Sequence, residues 1–398
     1  MRHYLRIVSI LALANFCFGV AEFLVPGILT YLSLFYGVSD SQVGNLVTLY
    51  TLGVMVGVPI ISVLFSRFNY RNQLVFALTL FALSHLFMFF SHSFLSALIA
   101  RFLGGLMHGL FFVIATVICL KVAPKAKKSM ALGLLISGFL IALAMGVPLT
   151  IWVSKHFGLL TPFLLIACMV FLAAFVALLT MPKFSSQPAN FKNLGVVFHF
   201  TPVWQSFLVT AFACGSMSVV YIYLRVLLER HHFSPESIAE IYVYYGIAGL
   251  LGHFLAIKLT DLRGSFAALS FLLTMEILVL GAMHFSYHLP KAFLATNVIV
   301  FGFFSCALVV PFKTLCIHLA HVFTPHTSSN DTIALNEAAF FKGMSVGSFV
   351  GGLIVHYFNV NFNSICAALF ALCALLILRY GIKKPVFTKS GDVAPPKH

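Results

Sequence analysis

Arg101 stands in ALIARFLGGLMHGLFFVIATVICL, residues 97–120, a run otherwise built, apart from His108, from apolar and small side chains. A charge at the centre of a bilayer-spanning helix costs about 2.5–3.5 kcal/mol on insertion scales, so a group kept there has a purpose to explain. Glu22, in GVAEFLVPGILTYLS, raises the same question in the first apolar run. Arg101 lies about seven residues into its run and Glu22 about nine residues from the same side, similar depths at roughly 1.5 Å per residue. An acid and a base at one depth on two helices can neutralise each other, and a buried carboxyl with a variable partner is suited to binding and releasing a proton. The alternative is a static ion pair that only fixes helix register.

Helical spacing extends both positions into stripes. Arg101, Gly105, His108 and Phe112 follow one another at i, i+4, i+7 and i+11, and Asn15, Gly19, Glu22 and Pro26 do the same. Polar groups beside small residues suit a bundle helix facing an aqueous cavity. His108 is either a proton carrier or a hydrogen-bonded packing histidine. In the second half Tyr221, Arg225, Asn297, Lys313, Asn336, Glu337 and Lys342 interrupt apolar runs. Arg225 and Lys313 read as side chains that snorkel toward headgroups. Glu337 and Lys342 are five apart and diverge around a helix, which makes a local salt bridge a poor expectation. Candidate substrate contacts are therefore Asn15, His108, Tyr221, Asn297, Asn336 and Lys342, while spacing assigns no role to Glu276.

Elements that hold such residues must be membrane helices. Of 398 residues 61% are hydrophobic and 9% charged, whereas soluble proteins average about 25% charged. Each helix needs roughly 20 apolar residues to cross a core about 30 Å thick. Twelve runs qualify, near 5–31, 41–64, 73–91, 94–120, 129–153, 160–181, 202–228, 236–259, 266–286, 291–317, 331–357 and 361–381. The all-α integral membrane fold expected from them has two pseudo-symmetric six-helix bundles, residues 1–181 and 201–384. A cytoplasmic linker at 182–200 joins them and a tail at 385–398 follows. The first run ends without an A-x-A cleavage signal and reads as a retained span. A faint echo between PKAKKSMALG and PHTSSNDTIALN suggests duplicated units around a midplane site.

Lysine and arginine in short loops set the orientation: Arg67, Arg71, Lys121, Lys125, Lys127, Lys192 and Arg263 fall on the side of the N-terminus. Both termini are expected in the cytoplasm. The net charge of +14 is spread over these loops rather than gathered on one face, so nucleic acid is not expected as a partner. The eight cysteines sit almost entirely in apolar runs without metal spacing and read as small buried hydrophobes. His318, His321 and His326 read as a solvated loop, and neither metal nor cofactor is expected.

Several stretches carry a resemblance. They are GVAEFLVPGILTYLS with Glu22, VGNLVTLYTLGVMVGVPI, ARFLGGLMHG with Arg101, and AMGVPLTIW with Gly146 and Pro148 in place of a Gly-Pro antiporter signature. Over nearly its whole length the chain resembles the major facilitator superfamily, in particular the bacterial twelve-span drug and sugar efflux branch. The loop SVLFSRFNYR keeps Arg67 and Arg71 but has Ser66 for the family's acid and Asn69 for its glycine, whereas KLTDLRGS retains Asp261 and Gly264. The resemblance implies that these loops govern conformational change and that spans one, four, seven and ten line the cavity. It further implies that Glu22 takes the proton with Arg101 as its partner, and that Lys342, where relatives carry a neutral residue, suits a negatively charged substrate. The expected protein is a monomeric, proton-coupled exporter of a small molecule in the bacterial inner membrane, embedded in lipid. Uptake of a nutrient or iron-chelate is the alternative, and a non-transporting membrane sensor is the reading from another class. No Ser/His pair, His-Glu-x-x-His or clustered aspartates suggest an enzyme.

Overall fold

The computed structural model describes residues 2–124, 127–186, 199–323 and 329–382. Most of the expected linker, the 385–398 tail, Lys125, Lys192 and His326 lie outside the described residues, as does the side chain of His321. Lipid offers the backbone no hydrogen-bond partners, so a chain this apolar must close its N–H and C=O groups inside helices. Among the described residues there are helices and turns but no strand.

The chain divides into two compact units, Met1–Ala189 and Asn190–His398. In the first, α1 (Arg2–Gly27) and α2 (Leu29–Tyr36) are followed by α3 (Asp40–Val56), α4 (Ser62–Phe65) and α5 (Tyr70–Phe89). Then come α6 (Phe94–Val122), α7 (Lys128–Phe157) and α8 (Thr161–Thr180). The second holds α9 (Thr201–Tyr221), α10 (Leu224–Arg230), α11 (Pro235–Ser286) and α12 (Lys291–Ala307). It ends with α13 (Val309–Phe323), α14 (Ser329–Tyr357) and α15 (Asn363–Leu376).

Short polar signals between the apolar runs start these helices. Ser39 caps α3 by accepting from Gln42 N at 3.3 Å while the Gln42 side chain accepts from Ser39 N at 2.9 Å, a reciprocal capping box. Asn69 caps α5, accepting from Asn72 N at 2.9 Å, which accounts physically for an asparagine where the resemblance leads one to expect glycine. Ser234 caps α11 with Pro235 at the first helical position.

Eleven described rods are long and apolar enough to cross a membrane. One of them, α11, has 52 residues and would measure roughly 78 Å, more than twice the bilayer core. It is two crossings joined at Gly264, whose φ of 75° and ψ of 159° suit a residue without a Cβ. The expected loop KLTDLRGS is thus helical up to Arg263 and turns on one residue. Three other expected spans are discontinuous: the first breaks after Pro26 and Gly27, the seventh at Ile222 and Tyr223, the tenth at Leu308. The tenth also runs past its apolar stretch, so His318 lies in α13 rather than in a loop.

Packing within each unit follows the same scheme. In the first, α1 lies on α7, α3 on α6, and α5 on α6 and α8. In the second, α9 lies on α14, the arms of α11 on α12, and α11 also on α15. Helices without a hydrophobic drive between them associate through small residues and close backbones. At the α3–α6 contact a Cβ built on Gly105 would stand 2.0 Å from Tyr50 O, and one on Gly53 2.4 Å from Phe102 O. That approach brings Tyr50 beside Arg101 and His108. Gly105→Val should separate the helices, costing about 1–3 kcal/mol or more by overpacking. The measurement is the melting temperature and monodispersity of the purified protein, with Gly133→Ala as control because a Cβ there meets nothing within 4 Å.

Candidate functional site

The first unit buries a cluster of ionisable side chains where α1, α3 and α6 meet. Glu22 is 1% exposed, Arg101 2%, His108 1% and Tyr50 0%. Arg101 and His108 are two turns apart on α6, the same stripe that carries Gly105. His108 Nδ1 lies 3.9 Å from Glu22 Oε2 and 2.9 Å from Tyr50 Oη, so one ring nitrogen faces both a carboxyl and a phenol. Which of the histidine and the phenol donates depends on the imidazole tautomer.

Arg101 is held by backbone and by a ring. Its Nη1 donates to Ala21 O at 2.9 Å and its Nε to Leu46 O at 3.2 Å, while Cζ stands 3.9 Å from the centroid of the Tyr50 ring. Charge-assisted bonds and a cation–π contact together offset the desolvation of a guanidinium. The carbonyl of Ala21 belongs to the residue immediately before Glu22, so the arginine grips α1 at the carboxyl's own position. Among the described residues its Nη2 has no hydrogen-bond partner. Tyr50 therefore links the two α6 residues, with its ring under Arg101 and its hydroxyl on His108.

Aromatic rings seal this cluster. Phe18 stacks on Phe111 at 4.2 Å and lies 4.9 Å from the His108 ring. A second buried histidine, His85 on α5, sits 4.2 Å from the Phe81 ring, its Nδ1 bonded to Phe81 O at 3.0 Å. Spacing arguments passed over Tyr50 and His85. Tyr50 could have been found from its place on the face of Gly53 and Gly57, whereas nothing in the α5 sequence sets His85 apart.

The other expected site residues scatter. Asn15 donates to Leu135 O at 3.0 Å, tying α1 to α7. Asn336 accepts from Thr210 Oγ1 at 2.8 Å across the α9–α14 contact. Tyr221, at the break in the seventh span, packs against Tyr245 at 5.2 Å and Tyr242 at 6.0 Å. Asn297, in the amide orientation that matches donors to acceptors, bonds Val279 O at 3.2 Å and Met283 N at 3.3 Å on α11. Lys342 is exposed on α14, Arg67 and Asp261 are exposed, and Arg71 is half-buried.

Two side chains expected to snorkel are instead paired. Arg225 is fully buried, with Nε 2.7 Å from Glu229 Oε1 one turn on. Lys313 on α13 pairs with Glu337 on α14 at 2.5 Å. The partner Glu337 lacked along its own helix is supplied by a neighbour.

This architecture has known counterparts. The inner membrane transport protein YdhP of Escherichia coli K12 is 27% identical over 378 residues, covering 94% of this chain and 95% of that protein. The uncharacterized MFS-type transporter YtbD of Bacillus subtilis strain 168 is 27% identical over 348 residues, covering 86% and 87%. Among solved structures, a D-xylose-proton symporter shares the fold with a TM-score of 0.79 at 15% identity, covering 96% of this chain and 98% of that one. A bacterial homolog of the human lysosomal transporter Spinster, inward-facing and occupied, reaches 0.74 at 14% identity over 95% and 96%. The family model of the Major Facilitator Superfamily matches residues 11–324. With two like units of membrane-crossing helices and that match over most of its length, the chain is a multi-pass membrane transporter and belongs to the Major Facilitator Superfamily.

Proposed function

We propose that the protein is a proton-coupled exporter of a small molecule, of the sugar, drug, metabolite or siderophore class, working by alternating access of its two units. The observation that carries this reading is Glu22, buried to 1% exposure with His108 Nδ1 at 3.9 Å and the Arg101 guanidinium bonded to the adjoining carbonyl. Two unit charges 4 Å apart interact by about 4 kcal/mol at an effective dielectric of 20, several times thermal energy. Removing one charge by protonation therefore changes which arrangement of α1 and α6 is favoured. In the proposed cycle ionised Glu22 holds Arg101 and His108 to α1, and proton entry releases them. Tyr50 passes the change along because it touches both.

The remaining assignments follow from the same reading. The exposed Lys342 is the best placed of the candidate contacts to meet an anionic substrate. The amides of Asn15 and Asn297 engage backbone carbonyls, so any substrate contact by them competes with helix packing. Asn336, Tyr221 and His108 complete the proposed set. Arg67, Arg71, Asp261 and Gly264 belong to the turns that change during the cycle. In this reading the protein is a monomer in the bacterial inner membrane, and the lysine and arginine asymmetry supports cytoplasmic termini.

Glu22→Gln in inverted membrane vesicles should lose about 5–150-fold of the stimulation by an imposed pH gradient while retaining substrate counterflow, the signature of a lost coupling term. A substrate for the assay is first found by thermal-shift screening of sugars, nucleosides, siderophores and drugs. Full gradient-driven transport by Glu22→Gln overturns the proton role, and accumulation in right-side-out vesicles alone overturns export. Tyr50→Phe keeps the ring under Arg101 but removes the hydroxyl from His108. It should cost about 1 kcal/mol in stability and displace the pH profile of transport, and an unchanged profile would exclude the phenol from the cycle.

A further inference from the structure

Glu276 lies in the arm of α11 after Gly264 and is 0% exposed. Its Oε1 accepts from Ser216 Oγ on α9 at 3.3 Å. Among the described residues Oε2 has no hydrogen-bond partner and the carboxyl joins no ion pair. It differs in this from three other carboxyls inside helices. Glu22 has a histidine nitrogen at 3.9 Å, Glu229 has Arg225 and Glu337 has Lys313.

The surroundings are polar without being charged. From α9 come Ser216, with Cys214 and Tyr221 as the titratable residues of that helix. Tyr245, in the first arm of α11, packs against Tyr221 with ring centroids 5.2 Å apart, and its hydroxyl lies 3.3 Å from Ser305 Oγ on α12. Cys306 adjoins Ser305, and both it and Tyr245 are within electrostatic reach of Glu276. Lys291 at the far end of α12 and His284 two turns along α11 are the nearest charged or basic residues in those segments, and α15 contributes only the thiols of Cys366 and Cys373.

A structural role does not account for this residue. Glutamine has the same shape and would accept the same bond from Ser216, without the insertion cost of an ionisable group in a span. One hydroxyl bond to a charged group contributes about 1.5–3 kcal/mol, which does not offset the desolvation of an otherwise unpaired carboxylate. What glutamate offers and glutamine lacks is the ability to bind a proton.

We propose that Glu276 is a proton-exchange site of the second unit, separate from Glu22. A proton from water adds to Oε2 of the carboxylate to give the neutral acid and leaves from the same oxygen. Ser216 donates to Oε1 in either state. The site stands on its own residues and does not depend on the role proposed for Glu22.

Infrared difference spectroscopy of the purified full chain in lipid vesicles, between acid and alkaline buffers, tests this without a known substrate. The wild type should give a protonated-carboxyl band that is lost in Glu276→Gln, retained in Glu22→Gln, and moved to higher frequency in Ser216→Ala. Glu276→Asp keeps a carboxyl and should keep the band at a shifted position, which covers the case of a misfolded Glu276→Gln. Superimposable spectra from wild type, Glu276→Gln and Glu276→Asp would overturn the proposal. So would a band that responds to sodium at fixed pH but not to acid, which would mark a metal-cation site.

Discussion

A polar group in hydrocarbon has to bring its partner with it, because no water will supply one. That constraint organises the interior of both units. Arg101 takes two backbone carbonyls and the face of Tyr50, Arg225 takes Glu229 one turn away, and Glu337 reaches Lys313 on another helix. Amide donors do the same. Asn15 crosses from α1 to a carbonyl of α7, and Asn363 donates to Val219 O at 2.9 Å.

Partners of this kind meet only where backbones come close, and glycine sets that closeness. The α3–α6 contact has Gly53 and Gly57 facing Gly105 and Gly109, leaving no room for a Cβ on any of the four. The second unit uses the device again where Gly252 of α11 meets Phe303 of α12, with a Cβ of Gly252 falling 2.0 Å from Phe303 O. Close backbones and a buried polar cluster thus occur together in each unit. In the first the cluster is Glu22, Tyr50, Arg101 and His108, and in the second it is Ser216, Tyr245, Glu276 and Ser305.

The breaks in the helices follow the same logic from the other side. A discontinuity frees carbonyls and N–H groups that a continuous helix would consume, so it is tolerated only where protein or a cavity receives them. After Pro26 the chain recovers through a bond from Ile28 N to Val25 O at 3.1 Å, a few residues beyond Glu22. At Ile222 and Tyr223 the break lies beside Tyr221 and just before Arg225. Discontinuity and ionisable side chains therefore fall together in the first and seventh spans.

Hydropathy made the crossings legible residue by residue, since whether a run can sit in lipid is a property of that run alone. The same one-dimensional signal brought out Glu22 and Arg101, because an ion in an apolar run is conspicuous, whereas Gly264 stood out only through the family resemblance. Partner choice was not legible. Tyr50 and His85 look like ordinary members of their helices, and Lys313 and Arg225 look like snorkelling cations until Glu337 and Glu229 are found beside them. By itself the sequence determined how many times the chain crosses the bilayer and which side chains are costly there. Only the tertiary structure decided which costly side chains meet, since that depends on which glycine-lined faces lie together across helices far apart in the chain.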